Sequence, residues 1–412
     1  MHLPHARAVS SLRSPNVRLF LAGQAVSLVG IWIQQVAMSW LVYRVTGSPL
    51  LLGLLGAAGQ LPALVLMPVA GSFADRWSRR RILIVTQSLA MVLTLALAAM
   101  AAAGAIAVWH LVAISGLLGL VGALDVPARQ AFIADLVEDR DDLGNAIALQ
   151  SSVTNAARLI GPSIGGALVA TAGEGICFLV NAASYAAVLV ALLAIRVAPG
   201  APAPETPLVA GLRATARYTA ATRPIGAILG LVALVTLLGR PYTVLLPVFA
   251  AEVLDGGPQM LGWLMAASGL GALVGTLVLS AQRSLGRSAR LVGVGAAVAG
   301  TALILFALSG VRWLSLSTMF ATGFGVVVLL ASSNAVIQTR VDDAHRGRVM
   351  GLYTLAFVGL APIGALLAGV VAAGVGAAGM VLLGGLGCVG GALVFGRRLA
   401  DEDSLTAPGR RA

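Results

Sequence analysis

The chain has 412 residues, 58% of them hydrophobic and 10% charged, with 50 glycines and a formal net charge of +11. A soluble core cannot absorb that much apolar surface, and several runs are long enough to cross a bilayer, so an ordinary soluble fold is excluded. All 27 basic residues are arginine. Without lysine there is no Walker A loop and no amine for a pyridoxal or retinal adduct, so work on a solute draws on a gradient or on a separate subunit.

Twelve spans are predicted, with ends uncertain by several residues. The first, about 17–44, follows a basic N-terminus and is too long for the apolar region of a signal peptide. It carries Gln24, Ser27, Gln34 and Gln35, which either face a central cavity or satisfy neighbouring helices. The second, about 50–74, holds Pro62 and Pro68 and runs into "GSFADRWSRRRIL" at 71–83. Two readings of this stretch compete. One is a solvated basic loop; the other is a latch in which Gly71 admits a neighbouring helix one turn before Asp75. In the latch, Asp75 accepts from the start of the eleventh span or pairs with Arg346 or Arg348. Arg76, Arg79 and Arg80 then meet Asp135, Glu138 or Asp139, and Arg81 stays a solvated charge.

Spans three and four fall near 82–103 and 108–128. Asp125 is the single acid inside a predicted span and the candidate proton carrier; a structural or gating role is an equal reading, because it sits near the span's end, before Pro127. Span five, about 146–170, holds Asn155, Arg158 and "GPSIGG" at 161–166. Arg158 lies roughly 18 Å along it, near the bilayer middle. A guanidinium facing lipid there costs several kcal/mol, so Arg158 faces a cavity, as a solute contact, or another helix, as a structural residue. Span six, about 176–196, carries Asn181.

A Pro/Ala-rich stretch opens the segment 198–223, a cytoplasmic linker between an N-terminal bundle at 1–197 and a C-terminal one at 224–412. Its second half is either a plain tether or a helix resting on the membrane surface. The remaining spans fall near 224–250, 259–281, 291–309, 313–336, 349–373 and 379–397. Arg240, in the seventh, is a second candidate solute contact, with snorkelling as the rival reading. Trp32, Trp40, Trp109, Trp263 and Trp313 read as interface anchors or packing. Cys177 and Cys388 lie in apolar segments as packing residues, and the scattered histidines form no metal pattern.

The halves resemble each other. "VEDRDDLGNAIAL" at 137–149 leads into the "GPSIGG" helix, as "VDDAHRGRVMGL" at 341–352 leads into "APIGALLAG". Repeated halves suit two bundles that rock about a midplane site. With the N-terminus inside, every arginine except Arg44, Arg312, Arg158 and Arg240 lies in a cytoplasmic segment or at its edge, which places both termini in the cytoplasm.

Gly71, Asp75, Arg76, Arg79 and Arg80 resemble the loop-two signature of the major facilitator superfamily, and "GPSIGG" resembles its antiporter motif in helix five. "SPNVRLFLAGQAVS", "DVPARQAFIADLV" and "RGRVMGLY" are similar to its bacterial branch of enterobactin-exporter-like and transmembrane-secretion-effector transporters. Ser78 departs from the usual loop glycine, Ala148 and Ala157 from helix-five glycines, and span four lacks a mid-span arginine. The resemblance implies an all-α membrane protein of twelve helices in two pseudo-symmetric six-helix bundles. It implies a secondary transporter of the bacterial inner membrane that exports small organic compounds, drug- or siderophore-like, by proton antiport. Gly161, Pro162, Gly165 and Gly166 then bias the cycle toward export through a bend at Pro162; close helix packing alone is the competing reading. No cofactor, metal, covalent chemistry or nucleic acid is expected, only a small-molecule substrate, protons and lipid, in a monomer. The alternatives are a proton-coupled importer and a non-transporting receptor or assembly factor.

Overall fold

The computed structural model describes residues 10–76, 78–137, 139–195, 223–281 and 289–405. Among them the secondary structure is helical, with no strand. After a 3₁₀ turn at Ser10–Arg13 come α1 (Pro15–Thr46), α2 (Pro49–Arg76), α3 (Arg79–Ala102), α4 (Val108–Leu136) and α5 (Leu143–Ala194). Then follow α6 (Arg223–Leu234), α7 (Tyr242–Val248), α8 (Gly257–Ala281), α9 (Ala289–Leu308), α10 (Arg312–Arg340), α11 (Asp343–Thr354) and α12 (Ala361–Leu405). Ten helical stretches are long and apolar enough to cross a membrane. Apart from Arg223, the linker expected at 198–223 lies outside the described residues.

Two of these stretches, Leu143–Ala194 and His345–Phe395, have 52 and 51 residues, far beyond the roughly 20 a bilayer needs. Each contains one residue outside the helical region: Gly173 at φ 80°, ψ 171° and Gly376 at φ 80°, ψ 162°. That region is open essentially to glycine alone. A single glycine therefore interrupts each run where the sequence predicts a longer connection between spans.

Three further boundaries depart from expectation. α4 continues through Pro127 to Leu136, since a membrane span tolerates an internal proline when neighbours satisfy the freed carbonyl. Asp125 and Arg129 therefore lie inside a helix, Asp125 roughly 16 Å from its end by helical rise, rather than at a loop. The seventh span is broken by π-helical turns at Val235–Gly239 and Phe249–Val253, and Leu355–Gly359 forms a third between α11 and α12. α11 begins at Asp343, several residues before the predicted start.

Contacts divide the chain into two compact units, Met1–Val45 with Ala58–Thr206, and Thr46–Ala57 with Pro207–Ala412. In the first, Val17 and Phe20 of α1, Leu83 of α3, Ala128 and Phe132 of α4 and Val188 and Leu192 of α5 form a fully or almost fully buried core. Phe20 meets Phe132 edge-on at 5.4 Å between ring centroids. In the second, Ile228, Leu231 and Val232 of α6 pack with Val292 of α9, Leu329 and Ile337 of α10 and Cys388 of α12. Glycines bring helices into contact where lipid supplies no hydrophobic drive. A Cβ on Gly119 would lie 2.2 Å from the carbonyl oxygen of Gly59, and one on Gly323 would lie 1.9 Å from that of Ser268.

Candidate functional site

The most charged buried group in the first unit is built on Asp125. Its side chain is 4% exposed. From α3, one turn beyond Leu83, Thr86 Oγ1 and Gln87 Nε2 each donate to Asp125 Oδ1 at 2.8 Å. Arg129, one turn along α4, pairs with Oδ2. The carboxylate is thus held by two neutral donors on one oxygen and a cation on the other, as a charge removed from water requires. Sequence reasoning missed all three partners. Arg129 was legible from its i,i+4 spacing, but ending the span near 128 had assigned it to the cytoplasmic edge.

About two turns further along α3, at Thr94, lies a second buried polar group, centred on Gln34 of α1. Gln34 Oε1 accepts from Thr94 Oγ1 at 3.0 Å and from Asn181 Nδ2 at 2.6 Å. Ser184 Oγ donates to the Asn181 carbonyl at 2.7 Å and lies 3.0 Å from Asn181 Oδ1. Gly30 makes room for this: a Cβ there would come within 2.5 Å of Asn181 Oδ1. The structure therefore brings together two expected solute contacts, Gln34 and Asn181, but as partners of each other across helices. Of the others, Gln24 is 1% exposed, with no hydrogen-bond partner for either amide atom among the described residues. Gln35 is exposed and Asn155 half-buried.

Arg158 stands over the indole of Trp32, 5.8 Å from the ring centroid, a cation–π arrangement between α5 and α1. The same two helices touch one turn on. A Cβ on Gly161 would lie 2.5 Å from Trp32 Cβ, and one on Gly165 would lie 3.0 Å from Ile33 Cα. Pro162 and Gly166 are buried in this seam, where the dihedrals stay helical; the break in α5 falls at Gly173 instead. Arg240, in the second unit, donates to the Phe357 carbonyl at 3.0 Å and lies 4.6 Å from that ring's centroid.

The arginines after α2 bind within the first unit. Arg79 pairs with Asp135 at 2.6 Å. Arg80 donates from Nε to the Leu192 carbonyl at 2.8 Å and from Nη2 to the Leu193 carbonyl at 3.0 Å, covering the C-terminal end of α5 where the helix dipole is negative. Ser78 caps α3, its hydroxyl accepting from the Arg81 amide at 3.3 Å. Gly71, Asp75 and Arg76 lie in α2, with side chains outside those described, and Glu138 is outside the described residues. Arg346 donates to the Val341 carbonyl at 3.3 Å, and Arg348 is exposed.

Arg44 and Arg312, assigned to the opposite membrane face, are also engaged locally. Arg44 forms a two-pronged pair with Glu174, at 2.9 and 3.2 Å. Arg312 donates to the carbonyls of Leu254 and Asp255 at 3.0 and 2.6 Å. Among the described residues no group of histidine, cysteine and carboxylate side chains is arranged to hold a metal.

Long apolar helices, glycine seams and buried ionic groups define a polytopic membrane protein. The fold is that of solved transporters. A bacterial homologue of the human lysosomal transporter Spinster, in an inward-facing unoccupied conformation, superposes with a TM-score of 0.69 at 16% identity, over 94% of this chain and 98% of that one. The nucleoside transporter NupG gives 0.69 at 15% identity, over 93% and 99%. The chain belongs to the family described as transmembrane secretion effector, matched over residues 6–408, and is a major facilitator superfamily transporter. The multidrug efflux pump Tap of Mycolicibacterium fortuitum is 29% identical over 361 residues, 84% of this chain and 86% of Tap. The staphyloferrin A transporter of Staphylococcus aureus is 26% identical over 355 residues, 85% and 87%. The enterobactin exporter EntS of Shigella boydii is 26% identical over 377 residues, 91% and 86%.

Proposed function

We propose that this transporter exports small organic compounds, drug- or siderophore-like, across the bacterial inner membrane by alternating access, in exchange for protons. Relatives named for multidrug efflux and enterobactin export support the direction and the cargo class. Counting the helices broken at Gly173 and Gly376 as two spans each supports a reading of twelve spans, and the sorting of the arginines supports a reading with both termini in the cytoplasm.

The observation that carries the coupling is Asp125, a buried carboxylate already paired with a cation. Protonation removes its charge and releases Arg129, so one proton changes the packing between α3 and α4. Arg158 and Arg240 are the cations proposed to meet anionic groups of the cargo, with Gln35 and Asn155 lining the path and the buried Gln24, Gln34 and Asn181 behind it. Gly71, Asp75 and Arg76, with Arg346 and Arg348, are proposed to latch the cytoplasmic side. Gly161, Pro162, Gly165 and Gly166 form the α5 seam against α1.

Proteoliposomes under an imposed pH gradient provide the test, with a panel of cationic, neutral and anionic dyes. Asp125→Asn is expected to abolish gradient-driven dye movement while leaving gradient-independent exchange measurable. Gradient-driven transport by Asp125→Asn at the parent rate overturns the assignment.

A further inference from the structure

Four buried polar atoms of the first unit have no hydrogen-bond partner among the described residues: Gln24 Oε1 and Nε2 and, on the partners of Asp125, Gln87 Oε1 and Arg129 Nε. Buried polar groups are nearly always paired, by protein or by ordered water, and an acceptor without a protein partner is open to a donor that moves. Two of the four are amide oxygens, acceptors suited to a guanidinium.

Helix register places Gln24 at the same level. α1 and α3 run in the same direction, since Phe20 shares a core with Leu83 and, further along both, Gln34 bonds Thr94. Between these levels, Gln24 falls opposite Thr86 and Gln87, the two residues that hold Asp125. α4 approaches that level with Asp125, about two turns before Phe132, which packs on Phe20. Besides Arg129, the titratable group facing the site among the described residues is Tyr185 of α5, within electrostatic reach of both Asp125 and Arg129. α3 presents Thr86 and Gln87, and α1 presents Gln24 and Ser27, none of which titrates.

The second unit supplies the contrast. α10 has the same length as α4, 29 residues, and carries Leu329 and Ser333 where α4 has Asp125 and Arg129. Leu329 is part of an apolar core there. The matching residue of α6, beside Leu231, is Val232 rather than an amide, and it is fully buried. The buried unpaired groups nearby in the second unit are hydroxyls, Thr236 Oγ1 and Ser332 Oγ, and neither an ion pair nor an amide stands at these matched positions.

We infer that Gln24 is a positioning residue for proton exchange at Asp125: its amide oxygen, with that of Gln87, is the second acceptor to which Arg129 turns when Asp125 is protonated. This rests on Asp125 being the proton-exchanging group. A hydronium ion gives its proton to Oδ2, forming an O–H bond and leaving water; Oδ1 already accepts from two donors. The N–H···Oδ2 pairing breaks, and Arg129, still charged, rebinds to Gln24 Oε1 and Gln87 Oε1. Without those oxygens the protonated state strands a buried cation, and proton uptake becomes harder.

Infrared difference spectra of the full-length protein in nanodiscs, recorded across pH, test this. The carboxyl band of Asp125 is the one lost in Asp125→Asn. In Gln24→Met, which keeps volume and removes the acceptor, the proton affinity of that band is expected to fall about tenfold, the scale of one charge-assisted hydrogen bond. A midpoint within twofold of the parent, or moved to higher pH, overturns the role of Gln24 and leaves Asp125 as the exchanging group. Absence of any Asp125-dependent band overturns the proton-exchange reading and this inference with it. A measurement on the unaltered protein covers the case in which Gln24→Met does not fold. A guanidinium band is expected to shift with the same midpoint as the carboxyl band, and guanidinium bands that stay constant through the carboxyl titration overturn the proposal.

Discussion

One amide oxygen, Oε1 of Gln34, takes donors from two other helical segments, Thr94 of α3 and Asn181 of α5. Substituting leucine leaves both donors without that acceptor in a buried site, so Gln34→Leu is expected to destabilise the protein by about 1–2 kcal/mol. Reversible unfolding in mixed detergent micelles measures this; a variant as stable as its parent would mean that the donors find other acceptors. The sequence announced that Gln24, Gln34 and Asn181 face inward, because amides in an apolar run avoid lipid. It did not announce that Gln34 and Asn181 bond each other, since periodicity reports a face and not the residue across from it. Thr86, Gln87 and Thr94 went unnoticed for a related reason. They are short or neutral, and only the carboxylate and amide they serve give them meaning.

Element by element, the positions of the helices were legible from apolar runs, and their ends less so. The fourth span was ended near 128, just past Pro127, where α4 continues to Leu136, because an internal proline is tolerated in a membrane helix whose neighbours satisfy the freed carbonyl. Conversely, the turns after the fifth and eleventh spans shrink to Gly173 and Gly376, whose dihedrals nearly coincide. A Cβ at either position would meet no atom within 4 Å, so the demand for glycine is conformational and not steric. Gly173→Ala and Gly376→Ala are each expected to cost about 1–3 kcal/mol through backbone strain alone. Thermal unfolding in the same detergent checks both. If the two variants keep parental stability, the turns have relaxed to another conformation and the strain argument fails.

For the whole molecule, the decisive signal was the abundance of apolar segments with arginines sorted to one side, and it carries a topological expectation. Single cysteines at Ser78, Ala105 and Val311, all exposed, can be introduced beside the buried native Cys177 and Cys388. Labelling by an impermeant maleimide in intact cells is expected at Ala105→Cys and Val311→Cys but not at Ser78→Cys; the reverse pattern would invert the orientation. Arg80 and Arg312 add a consequence of another kind. Arg80 fastens its guanidinium to the last carbonyls of α5, and Arg312 fastens to the carbonyls just past the π-helical turn at Phe249–Val253, each within its own unit. Guanidinium keeps its proton at any pH a bacterium meets on either face of its membrane, and a backbone carbonyl carries none to lose. Acidifying one compartment leaves these joints fastened, so under the proton exchange proposed above the response to a pH difference falls on carboxylates such as Asp125, while the framework around them does not soften.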